Sequence, residues 1–265
     1  MKALSISVFA MAVLVSACSD DDDDSNPGSG GSTTGGASSS TGGSSSSTGG
    51  SSSSSGGSSS SSGGASNTGG ATGELSFFVT SDTRMTGDLG GLEGADERCQ
   101  TLAEAAGAGD KTFRAYLSAD SDPANDDMPV DARDRIGSGP WYNAKGVLLA
   151  EDLESLHALI GDAQLFLDEN GQKINGQWAG SPTPNEHDIL TGSNADGTLA
   201  VGKTCLSWTS SEATDVAVVG HSDGLGPMMA TTGTFTSWNS SHENMNCSDT
   251  APRGGAGRIY CFAIE

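Results

Sequence analysis

Three blocks decide how this chain folds: Thr204-Cys205-Leu206-Ser207-Trp208-Thr209-Ser210-Ser211, Trp238-Asn239-Ser240-Ser241-His242-Glu243-Asn244-Met245-Asn246-Cys247, and Arg258-Ile259-Tyr260-Cys261-Phe262-Ala263-Ile264. Each couples one cysteine to large apolar residues, and Gly, Ser, Thr and Asn dominate the spans between them. The cysteines therefore stand at structured ends of long loops. Closing such loops costs entropy that their own apolar content cannot offset, so cross-links are expected. Cys99 lies far upstream on an apparent helix, and four cysteines allow three pairings.

A helix cysteine, a cysteine before a long loop, a Trp-Asn block ending in a cysteine and a last strand with a cysteine resemble the C-type lectin-like fold. The chain is similar also to endostatin-like domains and to bacterial secreted "lectin" lipoproteins. That similarity lies in Gly91-Leu92-Glu93-Gly94-Ala95-Asp96-Glu97-Arg98-Cys99, Thr112-Phe113-Arg114-Ala115-Tyr116-Leu117-Ser118 and Tyr260-Cys261-Phe262. Asp131-Ala132-Arg133-Asp134-Arg135-Ile136 and His187-Asp188-Ile189-Leu190-Thr191-Gly192-Ser193 resemble the bacterial branch in particular. The resemblance covers Ser76 to Glu265. It implies an α+β, C-type lectin-like domain with long loops and two disulfides, Cys99 with Cys261 and Cys205 with Cys247.

Upstream of that domain the composition changes. Met1-Lys2 is a short basic start, Ala3 to Val15 is an apolar run too short to span a bilayer, and Val15-Ser16-Ala17-Cys18 resembles a lipoprotein signal-peptidase site. Residues 1–17 thus read as a signal peptide, with Cys18 as an acylated mature N-terminus. This assignment gives the fifth cysteine a role and leaves four for disulfides. From 18 to 75 the chain reads as a disordered tether, with five acids at Asp20–Asp24 and then 48 residues, Asn26–Gly73, made almost wholly of Gly, Ser and Thr. Such a coil spans roughly 35 to 40 Å. The expected address is the cell envelope, exported and lipid-anchored at the outer membrane or cell surface.

Setting aside Lys2 and the tether aspartates, 29 acids face 11 bases, a formal charge of −18. That surface repels phosphate backbones, which excludes nucleic acid as a natural partner, and makes calcium a more natural companion.

Within 76–265, Ser76-Phe77-Phe78-Val79-Thr80 and Arg258 to Ile264 read as strands that pair. Ala95, Cys99, Leu102, Ala103 and Ala106 make one helical face between Gly94 and Gly107. Phe113, Ala115 and Leu117 alternate with Arg114 and Tyr116, which places Tyr116 outward. The acidic stretch Asp120–Asp127 fails as an EF-hand, because Ala124 and Asn125 stand where a ligand and a glycine are needed. Pro140 to Val147 reads as a strand followed by a turn. Asp152 to Ile160 reads as a short helix with Leu153, Leu156 and Ile160 inward and His157 as a packing residue. Gly161 to Gly202 loses periodicity and reads as a long, functional loop excursion.

Calcium-dependent C-type lectins carry Glu-Pro-Asn and Trp-Asn-Asp motifs that together hold a calcium ion and a sugar. The resemblance places Pro184-Asn185 and Trp238-Asn239 in those roles, with Thr183 and Ser240 where the motifs carry acids. It implies a carbohydrate or surface-protein ligand at Asn185, Glu186, Asp188, Trp238, Asn239, His242 and Glu243, with calcium candidates Asn185, Glu186, Asp188, Asn239 and Glu243. Carboxamides and carboxylates pair with sugar hydroxyls, and an exposed Trp238 would offer a face to a pyranose ring.

Two competing chemistries lie in the same half of the chain. His187, His221 and His242, with Asp188 or Asp223, suit a transition-metal site, although no tight spacing such as His-x-x-x-His marks one. Gly220-His221-Ser222-Asp223-Gly224 matches the letters of a nucleophile elbow with His242 downstream, but Gly224, Gly226 and Pro227 are poor helix material. A binding module without catalytic role is therefore expected in preference to a serine hydrolase using Ser222. The remaining alternative is a structural or protein-binding surface domain.

Overall fold

A computed structural model describes residues 73–265. The signal segment 1–17, Cys18 and the tether up to residue 72 lie outside the described residues. The strands are β1 (Phe77–Val79), β2 (Phe113–Ala115), β3 (Ala119–Asp122), β4 (Met128–Val130), β5 (Trp141–Tyr142), β6 (Leu148–Ala150), β7 (Asp188–Leu190), β8 (Val218–His221), β9 (His242–Glu243) and β10 (Gly255–Ala263). The helices are α1 (Gly91–Ala105) and α2 (Leu153–His157). The described part of the chain is thus mixed α and β with small sheets. No helix among the described residues is long and apolar enough to cross a membrane.

β10 organises the main sheet. Its C-terminal half lies antiparallel between β1 (Phe78 opposite Cys261) and β2 (Ala115 opposite Cys261), and its N-terminal half runs parallel to β7 (Ile259 opposite Leu190). β8 and β9 extend the sheet beyond β7, both antiparallel. Strand side chains alternate between faces. Ile259, Cys261 and Ala263 therefore pack toward Cys99, Ala95 and Leu92 of α1, and Tyr260 and Phe262 pack toward Trp141, Phe166 and Trp238. Both terminal runs of the domain pair as the sequence predicts.

The disulfides join Cys99 to Cys261 and Cys205 to Cys247, closing separations of 162 and 42 residues. Loop-closure entropy alone makes these worth about 5 and about 4 kcal/mol. The first ties α1 to β10 through the core. The second fixes Cys205–Trp208, whose four residues all have positive φ (46°, 52°, 54° and 67°), making one left-handed turn in a chain of L-residues. Such backbone costs about 1–2 kcal/mol per residue. Burial of Trp208, whose Nε1 donates to Ser118 O at 2.8 Å, and the Thr204 hydroxyl, which accepts from Ser207 N at 2.9 Å, hold the turn in place.

Three expectations are corrected. Tyr116 is fully buried, because its hydroxyl has partners inside: His157 Nε2 at 2.8 Å and Asn239 Nδ2 at 2.9 Å. His157 is accordingly a satisfied packing residue, its Nδ1 donating to Leu153 O at 2.7 Å. Ile160 is 62% exposed, since α2 ends at His157 and the helical period does not reach it. The excursion 161–202 contains β7, a strand too short to show a period and flanked by polar residues.

Leu206 is 70% exposed at φ 52°, so its side chain contributes little to set against the backbone strain. Leu206→Gly is expected to stabilise the protein by about 1 kcal/mol, raising Tm by about 2–4 °C in a thermal melt. An unchanged or lower Tm would refute a strained turn.

Candidate metal centre

β7, β8 and β9 bring together residues that the sequence scatters. Asp188 on β7 stands directly opposite His221 on β8, and His242 on β9 is opposite Val219, two residues before His221 on the same strand face. Asp188, His221 and His242 therefore form a row across three adjacent strands. On its other side Asp188 pairs with Gly255, which puts no side chain into the row. His187, just ahead of β7, lays its ring on that of His221, centroids 4.3 Å apart and planes 17° from parallel.

The Nε2 atoms of His187 and His221 lie 3.2 and 3.3 Å from Asp188 Oδ1. His242 Nε2 is 3.6 Å from Asp188 Oδ2 and 3.0 Å from His221 Nε2. One ligand atom each of His187, Asp188 and His221 fall within 4.8 Å of one another, and His242 stands at their rim with its side chain 25% exposed. Ligands bound at about 2.0–2.1 Å in a tetrahedron are about 3.3 Å apart, so these neighbour separations suit a transition-metal ion.

The ring protons point away from the cluster. Each ring has its Nδ1 committed as a donor: His187 to Asp223 Oδ1 at 2.7 Å, His221 to Phe235 O at 3.1 Å, and His242 to Glu243 O at 2.8 Å. A neutral imidazole with a protonated Nδ1 presents a lone pair at Nε2. With the rings in that form, three lone pairs meet the two oxygens of Asp188, which are fully buried and have no hydrogen-bond partner. Among the described residues only those oxygens and Arg258 Nε are buried side-chain polar atoms without one. Five acceptors without a donor are repulsive unless a cation or protons come between them.

The electrostatics follow from this geometry. Burial raises the Asp188 pKa to about 6 despite the nearby His187 and His242. Burial, then the neighbouring His187 and His242, press the His221 pKa down to about 3, so its imidazole is neutral at physiological pH. For Asp223 burial works upward, but His187 and the backbone N–H groups of Gln177 (2.6 Å) and Leu225 (3.0 Å) outweigh it and hold the pKa below the ordinary carboxylate value. Asp223 is therefore an ionised acceptor behind His187, the arrangement that fixes ring orientation and strengthens an imidazole ligand.

The other site residues are dispersed. Trp238, expected as a sugar platform, is 1% exposed in the aromatic core, its Nε1 donating to Leu156 O at 3.0 Å. Asn239 is buried and donates to Tyr116 Oη, Asn194 O and Ala195 O. Glu186 is paired with Arg258, and Glu243 with Lys203. The oxygens offered for calcium thus do not converge, although Asn185 does reach the cluster's pocket. Ser222 is not on an elbow: β8 is antiparallel to both its neighbours, a turn and the short 3-10 segment Pro227–Met229 follow, and His242 Nε2 faces His221 and Asp188.

A cavity of about 390 Å³ opens above the cluster, lined by Gln177, Asn185, Pro227, Phe235, Arg253 and the three histidines. A larger groove of about 1240 Å³ along α1 and the left-handed turn contains none of these groups, and its Asp96 and Arg135 already pair at 2.7 Å. Sequence reading missed Gln177, Pro227, Phe235 and Arg253. The carbonyls of Phe235 and Glu243 leave no trace in residue type, so no sequence signal could have found them.

No protein-family model matches this sequence, and no curated protein matches it.

An unpaired carboxylate with a pKa near 6 rather than 3.8 lowers metal-free stability at pH 7 by about 3 kcal/mol. The cost is absent below the unfolded value and complete above about 6. Asp188→Asn supplies an N–H donor and removes the charge, so it is expected to raise the Tm of chelator-treated protein at pH 7 by several degrees, a gain that shrinks toward pH 4. A lower Tm would show that Asp188 has a stabilising partner.

Proposed function

We propose that this protein is a metal-dependent ligand-binding module held at the cell envelope, with His187, Asp188, His221 and His242 as ligands of one transition-metal ion. The observation that carries the reading is the meeting of three Nε2 lone pairs with a buried carboxylate that has no donor. A set of three imidazoles and one carboxylate suits zinc, copper, iron or nickel, whereas calcium takes six to eight oxygens. The cluster sits at the floor of the pocket, so ligand recognition is assigned there rather than to Trp238.

Membership of the C-type lectin-like class is supported by the Cys99–Cys261 and Cys205–Cys247 bridges and by the pairing of the first and last strands. The envelope address is supported by Val15-Ser16-Ala17-Cys18 and by the Gly/Ser/Thr stretch that follows.

Zinc added to chelator-stripped protein is expected to bind one ion per chain. At a free concentration a hundredfold above Kd it should raise Tm by about 5–10 °C, with millimolar calcium giving no such rise. His221→Ala and Asp188→Asn should abolish the rise, while His242→Ala, at the rim, should weaken it. Zinc stabilisation that persists in His221→Ala would remove the assignment. For the anchor, Cys18→Ala should lose label from a fatty-acid probe and leave the membrane fraction. Retained label would place the anchor elsewhere.

A further inference from the structure

Resting on the metal reading above, we propose that the bound ion keeps a coordination position open toward the pocket and there takes a small organic carboxylate with an apolar body. The approach is one-sided. Asp188, His187 and His221 are almost wholly buried, and His242 at the rim marks where the cluster meets the cavity. Protein ligands number at most four, and such an ion can expand to five-coordinate, so the added position would lie on the side that faces the cavity.

Charge selects the ligand. A dication held by the cluster and the Arg253 guanidinium in the pocket lining would both present positive charge to an entering ligand. The rest of the domain is strongly acidic. Glu243, next to His242 in sequence, turns its carboxylate to Lys203 at 3.1 Å, and Glu186 is paired with Arg258. The Arg253 guanidinium has five donors, of which one, on Nη1, goes to Glu243 O at 3.2 Å. The same carbonyl accepts from His242 Nδ1, so the arginine is tied beside the outermost metal ligand. One carboxylate oxygen on the ion and the other on Arg253 make a two-point anchor of the kind a guanidinium favours.

Shape selects the body of the ligand. Pro227 and Phe235 form the apolar wall, the Phe235 ring lying 5.9 Å from His221 with planes 6° apart. A cavity of about 390 Å³ is sized for a small molecule. A carboxylate on an aromatic acid and one on a sugar acid share the anchoring chemistry. The apolar wall favours the aromatic acid.

The test uses the full-length protein stripped of metal and loaded with cobalt(II), whose visible absorption reports coordination, or with zinc for calorimetry. Benzoate, glucuronate and benzamide are titrated into each. Benzoate is expected to shift the cobalt spectrum and to bind more tightly than glucuronate, while benzamide, with the same ring and no charge, leaves the spectrum unmoved. Arg253→Gln should still load zinc yet lose benzoate affinity at least about tenfold, in keeping with a lost charge-assisted hydrogen bond. Failure to load cobalt or zinc at all would defeat the metal reading itself. A loaded centre whose spectrum ignores benzoate, an equal response to benzamide, tighter binding of glucuronate, or full benzoate affinity in Arg253→Gln would each overturn this inference and leave the metal reading standing.

Discussion

The backbone pairing of Gly255–Ala263 is the constraint on which the rest depends. One strand satisfies β1 and β2 along its C-terminal half and β7 along its N-terminal half, so the last residues of the chain must be in place before the earlier strands have a partner. Most of its length is fully buried, and its alternation divides the core into the disulfide-bearing side under α1 and the aromatic side around Trp238. Because Gly255 opposes Asp188, the same strand also sets the depth and register of the histidine row. Site and core are thus fixed by one ladder of hydrogen bonds.

The cluster built on that ladder works against the stability of the metal-free fold. A sheet interior is a place for apolar side chains, and a carboxylate there without a donor carries an uncompensated desolvation cost. Buried groups perturbed in this way cluster at functional sites. The surroundings are consistent with that: each ring is oriented by its far nitrogen, two by backbone carbonyls and one by an ionised carboxylate, so the near nitrogens are aligned toward Asp188. Preorganisation of this kind lowers the entropy cost of binding.

The two core faces divide the work. Under α1, the disulfides and the left-handed turn at Cys205–Trp208 hold long loops at defined ends. On the other face Trp238, Tyr260, Phe166 and Tyr116 interlock, and the Tyr260 hydroxyl donates to Trp238 O at 2.6 Å, pinning the chain four residues before His242. Trp238 therefore acts on the site through the backbone it fixes.

What the sequence determined by itself follows from local chemistry. Cysteine placement, the β-rich terminal runs, the one-sided helix around Cys99 and the satisfied role of His157 were all legible, because residue type and short-range period carry those facts. The candidate ligands were legible only as three histidines and two aspartates in one half of the chain, with no spacing to unite them. Tertiary structure alone decided the rest. Cross-strand register puts Asp188 opposite His221, backbone carbonyls select the tautomers, and close aromatic packing takes Trp238 and Asn239 out of reach of a ligand. Long-range pairing depends on which surfaces exclude water together, and a linear pattern of residue types does not encode that contact by contact.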